Sequence, residues 1–375
     1  MADVEPDDSA FYLRHIRTLL IFIALILSVN LLYFARDFFL PVIIAFLIAI
    51  TFRPIVRRLA VRGVPAYATA TGFAATLLIS GLLGFYLLSG PIASWVADAP
   101  AIQQAFVVKI RALRSPFEKV SEITEQIKNA AVPVDQAQVQ EVVVKEGSLP
   151  ALLWIAGYPA NYIIILSGAV VFSLFLMASG NLIYEKLLRI MPTLTDKKNA
   201  LRLVHDIERE VSSYLLTLTA INAGVGVAVA IGFYFLGLTN AYLWGFVAFG
   251  LNFIPYAGPL FGVAVSALVS IVAFDSISYA LIPPLYYTVV VTIENQLVSP
   301  HVLSRKLQLN SVAILLTLAF WGWLWGILGI VVAVPLLVTL RVFSNHFDSL
   351  ATIGEFIAEP GSPQENAPTV NAEAR

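Results

Sequence analysis

The stretch NFIPYAGP, Asn252 to Pro259, interrupts a long apolar run that extends from Ala241 to Phe274. Two prolines, a glycine and an asparagine stand close together in it, and each of these residues disfavours a continuous helix. An unpaired backbone group in hydrocarbon costs several kcal/mol, so irregular backbone is tolerated there only inside protein or beside a water-filled cavity. The break therefore predicts either a kink in one long span or the tip of a helical hairpin.

The composition of the chain is that of a polytopic integral membrane protein. Of its 375 residues, 59% are hydrophobic and only 13% are charged, whereas soluble domains are about half apolar and about a quarter charged. The net charge of −1 gives no reason to expect a nucleic-acid partner. The chain has no cysteine, and its 4 histidines show no metal-ligand spacing. We therefore expect no disulfide, no resident metal or other cofactor, and no cysteine nucleophile.

Apolar segments of membrane length recur along the chain, and we predict an all-α fold with about eight hydrophobic segments. The acidic N-terminus lacks the basic region of a cleaved signal, so we interpret the first segment as a retained span. Two segments, residues 241–274 and 310–340, are predicted to be broken. The segments are Thr18–Phe34, Phe38–Phe52, Thr69–Leu88, Leu149–Ser179, Ser212–Leu238, Ala241–Phe274, Ile277–Val298 and Asn310–Leu340.

The polar stretches divide the chain into regions. Residues 92–148 combine charges with an apolar stripe at helical spacing, which predicts an amphipathic extramembrane insert. This insert either caps the spans or binds a partner. The regions are a cytoplasmic N-terminus (1–17), N-terminal spans (18–91), the insert on the periplasmic side (92–148), a span with a charged cytoplasmic connector (149–211), a C-terminal transport core (212–346) and a cytoplasmic tail predicted to be disordered (347–375).

Basic residues set the expected orientation. Four arginines (Arg53, Arg57, Arg58 and Arg62) lie between the second and third spans, and the positive-inside rule places that loop and both termini in the cytoplasm. Arg305 and Lys306 are then cytoplasmic only if the run Ala241–Phe274 turns back on itself. The arm before the break is also short, about 21 Å at 1.5 Å per residue. A tilted, kinked single span remains the alternative.

The two broken runs also align loosely with each other. Each is preceded by one span, so hairpins in both would make the two halves an inverted repeat, a design found in secondary transporters. The second hairpin would then turn at WGWLWG and face the first from the opposite side. The alternative is a chance match of common apolar residues. The aligned pairs are Leu238 with Leu309, Ala248 with Ala319, Phe249 with Phe320, Gly258 with Gly329, and Val263 with Val334.

Several ordered motifs resemble those of the AI-2E family of bacterial transporters. They are Ile221-Asn222, LWGFVAFGLNFIPYAGP (243–259), ENQLVSP (294–300) and SVAILLTLAFWGWLWGILGIVVAVPLL (311–337). The resemblance covers nearly the whole chain and implies a secondary transporter. The family takes its name from proposed export of autoinducer-2, and some members are described as sodium/proton antiporters. The chain departs from the family pattern at Leu216–Leu218, Ser304 and Ser311, and these departures leave the subfamily and the substrate unassigned.

Polar residues inside the apolar segments are the candidate substrate or ion ligands. Glu294 is an intramembrane acid with Asn295 and Gln296 beside it, and such groups mark ion or substrate pathways by default. Asn252 and Tyr256 offer hydrogen bonds at the first break. The alternatives are that Glu294 simply reaches cytoplasmic water and that the break is a packing kink.

The breaks also offer backbone groups and aromatic rings. Freed carbonyls can coordinate cations, and the helix start after a break attracts anionic groups. Trp321 and Trp323 are candidates for a substrate-facing surface, although tryptophan also marks the membrane interface. The candidate hairpin-tip residues are Pro255, Gly258, Pro259, Gly322 and Gly326.

These observations predict a secondary transporter in the bacterial inner membrane. It would move a small polar solute, such as an autoinducer-2-like molecule, or exchange cations for protons by alternating access, with H+ or Na+ as the coupling ion. The alternative is a passive channel or an accessory membrane-scaffold protein. No phosphate-binding loop of an ATP-driven pump occurs, and the spans hold no hydrolase constellation. The expected partners are lipid, solute or ions, and a second copy of the chain in a homo-oligomer.

Overall fold

The computed structural model describes residues 6–84, 86–87, 90, 108, 159–179, 182–191, 193–302, 309–347 and 350–359. The described elements are helical, and six of the helices are long and apolar enough, by length and composition, to cross a membrane. Three shorter apolar helices accompany them. The predicted polytopic all-α class agrees with this architecture, whereas the expected number of about eight segments is not confirmed.

Contacts divide the chain into two compact units. One contains residues 1–77, 163–215 and 306–375, and the other contains residues 78–162 and 216–305. The helices of the chain are α1 (Pro6–Phe34), α2 (Arg36–Val61), α3 (Ala66–Gly84), α4 (Pro159–Ala178), α5 (Leu182–Ile190), α6 (Leu194–Phe235), α7 (Ala241–Leu251), α8 (Ala257–Ala273), α9 (Ile277–Ala280), α10 (Ile282–Ile293), a π-helical turn (Glu294–Val298), α11 (Ser299–Val302), α12 (Ser311–Ser344) and α13 (Ala351–Ile357).

In the unit that contains residues 216–305, four helical segments pack around one apolar cluster. The second part of α6 contributes Val225, Val229 and Phe233, and α7 contributes Trp244 and Ala248. Helix α10 adds buried side chains, and residues of α8 pack against the cluster from its edge. The first broken run is therefore two packed helices, α7 and α8, joined by a turn at residues 252–256.

In the other unit, helix α12 contains the second break. Gly326 has φ 66° and ψ −143°, which is not helical. A Cβ atom at Gly322 would lie 2.9 Å from Cγ1 of Ile330, although residues eight apart on a straight helix are separated by about 12 Å. Gly329 likewise lies against the carbonyl of Trp321. The second run therefore folds back at the last residue of WGWLWG, and re-entry into a membrane and the inverted repeat stay predictions.

Two other predicted regions have different outcomes. Residues Ala351–Ile357 at the start of the tail form helix α13, and the disorder expected from about Pro360 stays a prediction. This helix packs on α12, and the amide of Asn310 donates to the carbonyl of Ile357 at 2.9 Å. The predicted insert at 92–148 and the loop with Arg305 and Lys306 lie outside the described residues, apart from Val108.

Candidate functional site

The tip of the first hairpin is a tight and unusual turn. Tyr256 precedes α8 with φ 62° and ψ −52°, a backbone region that residues other than glycine rarely adopt. The next glycine, Gly258, is buried against the backbone carbonyl of Leu251, and a side chain there would clash with it. Pro255 and Pro259 remove two amide donors from the turn. The sequence NFIPYAGP thus reverses the chain as it leaves α7.

Two asparagines join this tip to helix α6. Nδ2 of Asn252, the residue that ends α7, donates to Oδ1 of Asn222 at 2.9 Å. Asn222 is fully buried, and its own Nδ2 has no hydrogen-bond partner among the described residues. An unsatisfied buried donor costs about 1–3 kcal/mol. This pair therefore joins a half-buried asparagine to a fully buried one that has a hydrogen bond still open.

Glycines allow the hairpin to approach α6 closely enough for this contact. A Cβ atom at Gly226 would lie 2.7 Å from the carbonyl oxygen of Gly245, and one at Gly245 would lie 2.6 Å from Cβ of Ala230. Small residues of this kind let helices in a membrane pack backbone to backbone. The open pair Asn222–Asn252 lies about one turn from this crossing along α6 and about two turns from it along α7, so the glycines fix the spacing at which the asparagines meet.

Glu294 opens a π-helical turn at the end of α10. Its side chain is 7% exposed, and Oε1 accepts a hydrogen bond from the hydroxyl of Ser299. The amide of Ser299 also donates to the carbonyl of Glu294. The wider π turn places the residue five positions ahead beside the carboxyl group, and π turns frequently occur at functional sites. The arrangement holds one buried carboxyl group in a fixed orientation.

The other predicted ligands of this segment are not gathered around the carboxyl group. Asn295 is exposed, and its Nδ2 donates to the carbonyl of Val291 in its own helix at 3.1 Å. Gln296 is also exposed. Tyr256 is 58% exposed at the tip. Of the predicted side-chain candidates, Glu294 is therefore buried, and Asn252 is half-buried and bonded to the buried Asn222.

The tryptophans of the second hairpin have separate positions. Trp323 is exposed and stacks on Tyr33, with ring centroids 6.2 Å apart. Trp321 is half-buried against Trp325, at 4.5 Å between centroids. Trp325 is buried, and its Nε1 donates to the carbonyl of Leu32 at 3.0 Å. These contacts attach the hairpin tip to α1, and the predicted role of Trp321 and Trp323 in facing substrate stays a prediction.

Sequence reasoning missed two residues of this site. Asn222 was not among the candidate ligands, although it is an amide within an otherwise apolar span and stands in the family-like motif Ile221-Asn222. Ser299 had no role, although its hydroxyl group holds Glu294. Among the described residues, no group of three or more His, Cys, Asp or Glu side chains could hold a metal ion. The candidate groups of this region are therefore the paired carboxamides of Asn222 and Asn252 and the carboxyl group of Glu294 with the hydroxyl group of Ser299.

Comparison of the sequence with known proteins identifies a family. The family described as "AI-2E family transporter" matches residues 22–349. The chain is 22% identical over 309 residues to AI-2 transport protein TqsA of Escherichia coli (strain K12), which covers 82% of this chain and 86% of that protein. It is 26% identical over 317 residues to "Putative transport protein YueF" of Bacillus subtilis (strain 168), covering 83% and 84%.

A protein of Haemophilus influenzae with a similar name is 24% identical over 335 residues, which covers 87% of this chain and 91% of that protein. The matched residues include both helical hairpins, the Asn222–Asn252 pair and Glu294. The six apolar helices and the family match together identify a membrane protein with a transport role. The chain belongs to the AI-2E family of transporters.

Proposed function

We propose that this protein is a secondary transporter of a bacterial inner membrane, which moves a small polar solute or exchanges cations for protons by alternating access. The observation that carries the proposal is Glu294, a buried carboxyl group in a π-helical turn of an apolar helix. Ionisable side chains inside membrane segments are rare, and their usual roles are in ion or substrate pathways. The name of TqsA supports an autoinducer-2-like solute as one candidate.

The lengths of the broken helices support a re-entrant arrangement. Helix α7 has 11 residues, or about 16 Å, whereas the hydrocarbon core is about 30 Å thick. It is too short to cross and ends at the buried pair Asn222–Asn252. In this proposal α7 enters from the periplasmic side and α8 returns to it, so that Asp275 is periplasmic and both termini are cytoplasmic.

The second hairpin supports the inverted repeat. Its first arm, from Ser311 to Gly326, is about 23 Å long at 1.5 Å per residue, so it also ends short of a full crossing. Each half of the core then consists of a span followed by a hairpin, and the halves have opposite orientations. Elevator-like movement of the solute site past the N-terminal spans is the mechanism that such a repeat favours.

The direct test is transport by purified protein in proteoliposomes. The variant Glu294→Gln keeps the size of the side chain and removes its charge, and we expect it to abolish coupled flux of protons with cations or solute. Asp275→Asn is the matched control, because it removes an exposed acid from the same part of the chain. Unchanged flux and unchanged pH dependence in Glu294→Gln would refute the role of this carboxyl group.

The same preparation distinguishes a passive channel or a scaffold protein from a transporter. Cysteines placed at Tyr256 and Trp323 report accessibility from each side, since the chain has none of its own. A transporter gives saturable flux and accessibility that alternates between sides. Flux without saturation or counter-ion dependence, together with fixed accessibility, would replace the proposal with a channel, and the absence of any flux would favour a scaffold.

A further inference from the structure

The buried carboxyl group of Glu294 lies in a part of the chain without basic side chains. From Val211 to Ser304 the sequence contains neither lysine nor arginine, and its two acids are Asp275 and Glu294. Asp275 is exposed in the turn after α8, whereas Glu294 is 7% exposed. His301 is exposed and bonded to the carbonyl of Leu297. A buried carboxylate requires a compensating positive charge or a proton. Because this segment has no lysine or arginine, it supplies no permanently charged partner for Glu294.

Helix directions show where this carboxyl group lies relative to the hairpin tip. Helix α7 runs antiparallel to α6, because Gly245 meets Gly226 while Asn252, further along α7, meets Asn222, which is earlier on α6. The turn at residues 252–256 then reverses the chain into α8. Helix α8 therefore runs in the same direction as the second part of α6.

Helix α10 completes the arrangement in the opposite direction. Gly262 of α8 lies against the ring of Tyr287 in α10. Near the other end of these helices, the rings of Phe274 and Tyr279 lie 4.9 Å apart. Gly262 early in α8 meets Tyr287 late in the following segment, and Phe274 just after α8 meets Tyr279 early in it, so α10 is antiparallel to α8 and hence also to α6.

The register of α10 on α6 brings Glu294 to the level of the asparagines. Tyr286 covers Gly232, and its hydroxyl donates to the carbonyl of Ala228 at 2.8 Å. Glu294 lies eight residues further along α10, or about 12 Å, and the same distance back along antiparallel α6 reaches Asn222. Val291 and Val225, one turn away on each helix, belong to the same apolar cluster. Glu294, Asn222 and Asn252 thus lie within about one helical turn of the same level.

We propose that Asn222, Asn252 and Glu294 form one binding site for a monovalent cation, an inference that rests on the proposed transport function and names the ion class of its site. One carboxylate balances a single positive charge, and carboxylate, carboxamide and backbone carbonyl oxygens are the ligands of hard cations. A proton competes with the cation for the same carboxylate, which provides a physical basis for exchanging one for the other.

The unpaired group of Asn222 is assigned to this cation. Rotating both carboxamides by 180° exchanges their oxygen and nitrogen atoms. Asn222 then donates to Asn252, so the hydrogen bond between them is retained, and Oδ1 of Asn222 occupies the position that lacks a partner. Cation binding selects this orientation and removes the unsatisfied donor. Asn222 is thereby a ligand residue, in addition to anchoring the hairpin.

The test measures cation-dependent stability rather than transport. Purified full-length protein in detergent is unfolded by heat at pH 8 in increasing LiCl, NaCl or KCl, with N-methyl-D-glucamine chloride keeping the ionic strength constant. A ligand that binds only the folded state raises Tm with a saturable dependence on its concentration. We expect such a rise with at least one of the three cations, and Glu294→Gln should abolish it.

Variants at Asn222 distinguish a ligand oxygen from a hydrogen-bond donor. Asn222→Asp keeps the shape, offers only oxygens and should lower the half-saturating concentration, whereas Asn222→Leu should raise it by about tenfold or more. Asn240→Asp is the matched control, because the same change at the exposed start of α7 should leave it unaltered.

Three results would overturn the proposal. The first is that Tm does not respond to any of the cations. The second is loss of the response in Asn222→Asp, and the third is a half-saturating cation concentration in Asn222→Leu equal to that of the wild type. If the leucine variant does not fold, the aspartate variant alone decides. The proposed function fails separately, through unchanged flux in Glu294→Gln. Loss of coupled flux in that variant without any cation response would reject only the cation site.

Discussion

The crossing of α6 and α7 makes a quantitative prediction about two neighbouring glycines. A Cβ atom at Gly226 would lie 2.7 Å from the carbonyl oxygen of Gly245 and 3.0 Å from Cβ of Phe249. The oxygen belongs to the backbone, so the helices must separate to accept even one methyl group. Gly224, on the same helix, has no atom within 4 Å of the equivalent position. Gly226→Ala and Gly224→Ala are therefore the same substitution with and without the steric conflict.

The expected magnitudes follow from two opposing effects. Replacing glycine by alanine inside a helix stabilises it by about 1 kcal/mol, whereas overpacking a close contact costs about 1–3 kcal/mol. We expect Gly224→Ala to raise the free energy of unfolding by up to about 1 kcal/mol. In Gly226→Ala the overpacking cost offsets that gain or exceeds it, so this variant should be less stable than Gly224→Ala by about 1–3 kcal/mol.

The assay is denaturant unfolding of the purified protein in detergent, followed by tryptophan fluorescence. Trp244 is buried next to the crossing and reports its opening. The double variant Gly226→Ala/Gly245→Ala should lose less free energy of unfolding than the sum of the losses in the two single variants, because the first methyl group already separates the helices. Equal stability of Gly226→Ala and Gly224→Ala would refute the close crossing, and with it the spacing that brings Asn252 to Asn222.

Three further predictions concern the hairpins. Gly329→Ala should prevent closure of the second hairpin, because its methyl group would meet the backbone carbonyl of Trp321, and size-exclusion chromatography should then detect no folded protein. The control Gly322→Ala meets only the flexible side chain of Ile330 and should fold, so similar yields of the two variants would contradict the fold-back. Trp325→Phe should lower the free energy of unfolding by about 1 kcal/mol, and with it Tm, through loss of the hydrogen bond to Leu32. Trp323→Phe keeps a stacked ring and should lower Tm less; a larger loss of Tm in Trp323→Phe would contradict the role of the Trp325–Leu32 hydrogen bond. Tyr256→Gly should raise Tm, because a strained positive φ costs about 1–3 kcal/mol for other residues, while Tyr256→Ala should not; a lower Tm for the glycine variant would reject the strain.

The sequence alone was sufficient to locate both breaks. Proline and glycine at Asn252–Pro259 and glycine in WGWLWG interrupt helices for local steric reasons, and the structure places a turn at each of them. Glu294 could also be selected from the sequence, because a charged residue in an apolar segment stands out without knowledge of its neighbours, whereas its burial is known only from the structure. These features depend on residue types whose effects are limited to the backbone a few positions away.

Features that depend on contacts between helices could not be derived in this way. Asn222 becomes a candidate ligand only when its partner Asn252 and its unpaired Nδ2 are known. The spacing of Gly226 and Gly245 has no meaning in sequence until the two helices cross. The predicted cluster of Glu294 with Asn295 and Gln296 also ignored helix geometry, because consecutive residues on a helix point in different directions.

The hydrogen bond from Trp325 to Leu32 has a consequence for biosynthesis. The two residues are 293 positions apart, so a ribosome has almost completed the chain before the second hairpin can reach α1. Until then α1, whose apolar window is unburied even in the finished fold, makes no contact with that hairpin. Contacts of such long sequence separation form late and slowly. Nascent chains truncated before the second hairpin should therefore leave the last turn of α1, at Leu32 and Tyr33, accessible to crosslinking by the insertion machinery, and completion of that hairpin should protect this turn alone.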